Sequence, residues 1–273
     1  MIKLIVSDLD GTLFSSGITI DNRDKRAIQT VLLKNKDLQF SVASGRMDVE
    51  IKEVLAELGV NGHRISQNGA FVYMDNEERL VANVFPSSLA LEVYTYLPKD
   101  ENSLITVFVE DKGITHHHSN HMNKINEQLF FPLTVDSNIK KRILDLHISK
   151  ITVGGATGYL KDLEQKVRGQ YRDKVDTFIS DPHCLDIMPK NISKGTSLQQ
   201  LIENLHIEPN EIACIGDSYN DISMFALTPY SYCMSHAEER VQNHATYVVR
   251  SVADMVDHLI QKKVIGNEES RNL

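Results

Sequence analysis

Cysteine is scarce: Cys184, Cys214 and Cys233 are the three in 273 residues, odd in number and far apart. That argues against a disulfide framework and fits a reducing compartment, so a cytoplasmic location is expected. No Cys/His spacing matches a structural zinc site. The run His116-His117-His118 sits among polar residues and reads as an exposed loop. Positive charge is also short. Lys and Arg number 29 against 37 Asp and Glu, a formal net charge of -8, which speaks against a nucleic-acid partner. No apolar run reaches the length of a transmembrane helix, and Met1-Ile2-Lys3-Leu4-Ile5-Val6 is too short for a signal peptide, so no membrane partner is expected. A glycine-rich Walker loop is missing, which argues against an ordinary P-loop nucleotide hydrolase. Internal repeats and low-complexity tracts are absent. What remains is a globular composition, 41% hydrophobic and 24% charged, long enough for one large domain or two of moderate size.

The stretch that organises the chain is Ile5-Val6-Ser7-Asp8-Leu9-Asp10-Gly11-Thr12. An apolar run leads into two carboxylates one residue apart. Side chains alternate along a strand, so a strand persisting to Asp10 would project Asp8 and Asp10 together from its carboxyl end. Two like charges that close are costly unless a cation or a shared proton offsets them. A bound hard metal ion, or one carboxylate as nucleophile with the other handling protons, would justify the pair. A strand ending in an acidic turn is the plain alternative.

Strand and helix alternate from there. Asp21 or Asn22 caps a helix to about Lys36, Leu38 to Ala43 is a strand, and Met47 to Leu58 is a helix closed by Gly59. Ile65 to Gln67 is a short strand, and Asn68-Gly69 turns the chain back as a hairpin. This rhythm implies parallel strands with helical crossovers. It breaks near Phe85-Pro86. Residues 85–189 read as an inserted α+β domain, with helices near Leu89–Leu97, Asn120–Leu129 and Tyr159–Tyr171 among strands Leu104–Val109, His147–Val153, Thr177–Ile179 and Cys184–Met188. Alternation resumes at Ser193-Lys194-Gly195, runs through strands at Ile212–Ile215, Tyr230–Met234 and Tyr247–Val249, and closes with a helix Val252–Gln261. The tail from Gly266 is polar. Residues 1–84 and 190–273 thus form one doubly wound α/β domain interrupted by the insert.

Sites in open parallel sheets form at the carboxyl ends of the strands. Four such places carry chemistry: Asp8/Asp10, Ser44-Gly45-Arg46, Lys194, and Gly216-Asp217-Ser218-Tyr219-Asn220-Asp221. Each has a plain reading as helix cap, solvated lysine or dipole partner. Together they supply the carboxylates, hydroxyl, ammonium and helix N-terminal amides that hold a phosphoryl group and a magnesium ion.

In that order and spacing, these residues resemble the four motifs of the haloacid dehalogenase-like hydrolases, most closely the Cof-type subfamily, whose larger α+β cap matches the insert in size and position. The resemblance implies a Rossmann-like core and an Mg²⁺-dependent phosphatase of small phosphorylated metabolites, sugar phosphates first. Phosphomutases share the motif set, and a phospho-accepting signalling module shares part of the pocket. By the resemblance, Asp8 is the nucleophile and Asp10 the acid/base. Asp8, the main-chain carbonyl of Asp10 and Asp217 hold the metal, with Asp221 supporting Asp217 or Lys194. Ser44, the Gly45 amide, Lys194 and Asn220 hold phosphate oxygens. Arg46 and Asn68 are expected near the cleft mouth, within reach of substrate.

Overall fold

The computed structural model describes residues 1–99, 103–110, 112–117, 133–181 and 183–265. The helix expected near Asn120–Leu129, His118 and the tail from Gly266 fall outside the described residues. The chain divides into two compact units, Met1–Val81 with Ser193–Leu273, and Ala82–Ile192.

The first unit is built on an eight-stranded sheet. Its order is Tyr247–Val249, Tyr230–Met234, Ile212–Gly216, Leu4–Ser7, Gln39–Ala43, His63–Ser66, Phe71–Tyr73, Arg79–Ala82. The first six strands are parallel neighbours, and His63–Ser66 pairs antiparallel with Phe71–Tyr73. From Leu4–Ser7 the chain builds outward on one side, then returns to build on the other. The central strand therefore ends at a topological switch point, where a crevice forms.

Leu4–Ser7 is buried throughout, and its alternation feeds two cores. Ile5 joins Phe40, Val42 and Ile215 against the helices Asn22–Lys34, Asp48–Leu58 and Val252–Gln261, through Ile28, Ile51 and Val256. Leu4 and Val6 join Ala43, Ile65 and Cys214 against the helix Lys194–Asn204, through Leu198 and Leu201. Helices thus cover both faces, as a parallel sheet requires. Each of the buried Leu, Ile, Val and Phe side chains among these contributes about 1.5–3 kcal/mol. Helix starts are fixed by side chains. Asp21 accepts the Arg23 N–H at 2.7 Å, and Ser193 accepts the Thr196 N–H at 3.1 Å.

The second unit is α+β. Its six-stranded sheet runs Thr134–Val135, Gly113–Thr115, Leu104–Phe108, Lys150–Gly154, Cys184–Pro189, Val175–Asp181, antiparallel except for the first pair. Ile105, Val107, Ile151, Val153, Leu185 and Ile187 pack one face against the helices Ser87–Tyr96 and Thr157–Tyr171. Tyr171 belongs to that core.

One expectation is corrected here. The central strand stops at Ser7, not near Asp10. Gly11, at φ 79°, turns the chain directly after Asp10.

Candidate active site

Asp8 follows the last residue of the central strand and is 4% exposed. Its N–H bonds the Ile215 carbonyl of the neighbouring strand at 3.0 Å, so the sheet itself aims it. Lys194 is the first residue of its helix and is 1% exposed. Its ammonium donates to Asp8 Oδ1 at 2.6 Å and to Asp221 Oδ1 at 2.7 Å. The other oxygen of Asp221 accepts the N–H groups of Asp217 and Ser218, each at 3.0 Å, which folds the loop after Ile212–Gly216 around it. Gly216 is required there: a Cβ would lie 2.3 Å from Asp221 Cγ. Gly11 allows the matching approach on the opposite side, where a Cβ would lie 2.3 Å from Asp217 Oδ2. Thr12 Oγ1 donates to Asp217 Oδ1 at 3.3 Å.

Asp8, Asp217 and Asp221 each place a carboxylate oxygen within 4.8 Å of the others. Among the described residues, the Lys194 ammonium meets two of the three, Asp8 and Asp221. Burial pushes the Asp8 carboxyl well above its ordinary pKa; Lys194 opposes this, while Asp221 and Asp217 add to it. Burial and then Asp221 likewise raise Asp217. For Lys194 burial works against the charge, but Asp221 and Asp8 outweigh it and hold the ammonium above its usual value. A buried pocket with surplus carboxylate and all-oxygen donors fits a hard divalent cation, so these residues are suited to hold Mg²⁺.

Asp10 stands apart from this cluster. Its side chain is 53% exposed and is gripped by Arg46, whose NH2 lies 2.8 Å from Oδ1 and whose Nε lies 2.9 Å from Oδ2. The two carboxylates of the opening motif therefore do not project together. Arg46, expected near substrate, contacts Asp10 and Glu50. Ser44 is buried and accepts the Arg46 N–H at 3.1 Å. Asn220 donates to Asn68 Oδ1 at 3.0 Å, and a Cβ on Gly45 would lie 3.3 Å from that same oxygen. Asn68 lies between two other positive-φ residues: Gln67, Asn68 and Gly69 have φ of 50°, 57° and 101°. Backbone strain of this kind concentrates at functional sites. Among the described residues, Asn220 Oδ1 is buried without a hydrogen-bond partner.

Two neighbours escaped sequence reasoning. His236 Nε2 lies 3.8 Å from Asp217 Oδ2, and Glu50 anchors Arg46. His236 follows the strand Tyr230–Met234 by two residues, and that carboxyl-end placement was the available signal.

A sequence model of the haloacid dehalogenase-like hydrolases matches residues 5–256, and the chain belongs to that family. Within it, the chain is a Cof-type phosphatase. It is 26% identical over 248 residues to an HMP-PP phosphatase of Serratia proteamaculans, covering 87% of this chain and 85% of that one. It is 25% identical over 295 residues to a 5-amino-6-(5-phospho-D-ribitylamino)uracil phosphatase of Bacillus subtilis, covering 94% and 98%. The crystal structure of a Thermotoga maritima protein superposes with a TM-score of 0.84 at 25% identity, over 98% of this chain and 99% of that one.

Proposed function

We propose that the chain is an Mg²⁺-dependent phosphatase of small phosphorylated metabolites, sugar phosphates first, working through a phosphoryl group carried on Asp8. The observation that carries this reading is the buried Lys194 ammonium set between Asp8 and Asp221 at 2.6 and 2.7 Å. That ammonium holds Asp8 in place and offsets the charge of an approaching phosphate dianion. Asp8, Asp217, Asp221 and the main-chain carbonyl of Asp10 would hold Mg²⁺, which would screen the repulsion between carboxylate and phosphate.

Asp8 attacks phosphorus in line with the ester oxygen, a new Asp8–O–P bond forms, and the bond to the leaving oxygen breaks. Asp10 gives that oxygen its proton. Asp10 then takes a proton from water, which attacks the phosphoaspartate and releases inorganic phosphate. Ser44, the Gly45 amide, Lys194 and Asn220 hold the phosphoryl oxygens. The inserted unit, taken as the cap with the boundaries 85–189, selects the leaving group. The sugar-phosphate preference is supported by the phosphoribityl substrate in the name of the Bacillus subtilis relative.

The test is Asp8→Asn beside Asp10→Asn, with an aryl phosphate and a panel of sugar phosphates. Asp8→Asn is expected to form no phosphoenzyme with any substrate. Asp10→Asn is expected to release a burst of about one equivalent of phenol per site, then stall as a hydroxylamine-labile adduct. Undiminished turnover by Asp8→Asn would overturn the reading, and phosphoryl transfer to a second sugar instead of water would make the enzyme a mutase.

A further inference from the structure

Arg46 is held from several sides by groups that are not phosphate ligands. Its guanidinium engages both oxygens of Asp10: Nε at 2.9 and 3.2 Å, NH2 at 2.8 Å. Its NH1 donates to Glu50 Oε1 at 3.0 Å. Glu50 is 1% exposed, and its other oxygen accepts the Met47 N–H at 2.9 Å, so the start of the helix Asp48–Leu58 fixes the anchor. The guanidinium carbon lies 5.4 Å from the centre of the buried Phe14 ring. Arg46 thus ties the turn carrying Asp10 to the next strand end and the helix after it.

Asp10 needs such a tie. It sits on a turn with its carboxylate half in solvent, and a free carboxylate there samples several rotamers. An acid must lie within hydrogen-bond reach of the oxygen it protonates. We propose that Arg46 is a positioning residue, which clamps the Asp10 carboxylate in the place from which it serves the leaving oxygen, and that Glu50 serves as the anchor of that clamp. The proposal rests on the acid/base reading of Asp10. It assigns Arg46 no bond to the transferred phosphoryl group. The two-pronged contact calls for a planar guanidinium, which an ammonium does not reproduce.

Leaving groups separate the two roles. A sugar alkoxide needs the proton of Asp10 to depart, and an aryl oxide needs it far less. The experiment compares wild type with Arg46→Ala, Arg46→Lys and Glu50→Gln. It uses rapid-quench release of the alcohol from the sugar phosphate turned over fastest, burst release of phenol from p-nitrophenyl phosphate, and inhibition by inorganic phosphate. Arg46→Ala is expected to slow alcohol release about 10²-fold, the cost of a misplaced catalytic group, and phenol release less than about threefold. Inhibition by inorganic phosphate is expected to stay within about twofold. Arg46→Lys should recover little, and Glu50→Gln should reproduce the same substrate bias at smaller size. Equal losses on both substrates with weakened phosphate inhibition would make Arg46 a phosphate ligand and overturn the proposal, as would no loss at all. Should Arg46→Ala unfold, Arg46→Lys and Glu50→Gln carry the same comparison. A wild type that hydrolyses neither ester would instead remove the phosphatase reading and this inference with it.

Discussion

Two buried lysines, one in each unit, meet aspartates in opposite ways. Lys194 bridges Asp8 and Asp221 at 2.6 and 2.7 Å, with Asp217 in the same cluster. Lys150 lies 3.2 Å from Asp186, whose other oxygen accepts the Thr152 hydroxyl at 2.6 Å, and its ammonium stands 4.8 Å from the centre of the Phe108 ring. Among the described residues only the first place gathers three metal-capable groups. A buried ion pair alone is weak evidence of function, because it tends to break even against desolvation. Surplus charge of one sign is different. It costs stability unless something else binds there, so it marks a site kept for chemistry.

The largest expected effect lies at the first lysine. Lys194→Met should lower phosphatase turnover by about 10³-fold or more, the scale of losing a preorganised charge at the reacting centre. Turnover within tenfold of wild type would reduce Lys194 to a structural partner like Lys150. Next comes stability, where the two places should move in opposite directions. Asp186→Asn removes the carboxylate that faces a buried ammonium and is expected to cost about 3 kcal/mol in urea unfolding. In metal-free protein, Mg²⁺ at about a hundred times its dissociation constant should stabilise wild type by about 2.7 kcal/mol, and Asp217→Asn should lose most of that gain. Without metal, Asp217→Asn relieves repulsion and should itself be about 1 kcal/mol more stable than wild type, while less active. Destabilisation by both substitutions would erase the distinction. So would full activity in excess chelator.

The outer thirds were legible because buried parallel strands read as short apolar runs between helices. Ile212–Gly216, Tyr247–Val249 and Val252–Gln261 lie within a residue of where pattern placed them. The short strands Gly113–Thr115 and Thr134–Val135 went unread: two or three residues carry no period of their own, and neither lies in the strand–helix alternation that located the equally short Tyr247–Val249. In the site, Asp8, Lys194 and Asp221 were placed together by a general rule about strand ends. The parting of Asp8 from Asp10 was not legible. It depends on the strand stopping at Ser7 and on which side chain captures Asp10, and Arg46 lies 36 residues away. Thr12 reaches Asp217 from 205 residues away, and His236 reaches it from nearer in the chain, in both cases where no local pattern reports a contact.

His63 sharpens the comparison from a third direction, as a buried ionisable group held neutral. It is 1% exposed on the strand His63–Ser66. Its Nδ1 accepts the Asp75 N–H at 3.1 Å, so Nε2 carries the proton and donates to Gln39 Oε1 at 2.6 Å. A second proton would set N–H against N–H. Burial lowers the His63 pKa; the Asp75 carboxylate opposes this, and Arg64 adds to it. The folded value therefore lies below the unfolded one, near 6.5. Above that pH neither state is protonated and the full stability is present. As pH falls through it, the unfolded chain binds the proton first and stability declines, no more steeply than about 1.4 kcal/mol per pH unit. Urea midpoints of wild type and His63→Gln from pH 8 to 5.5 isolate the effect from the other histidines. Wild type should lose more stability on acidification than the variant. Parallel curves would mean that His63 titrates alike folded and unfolded, and that burial, opposed here by the Asp75 carboxylate, does not hold this side chain neutral.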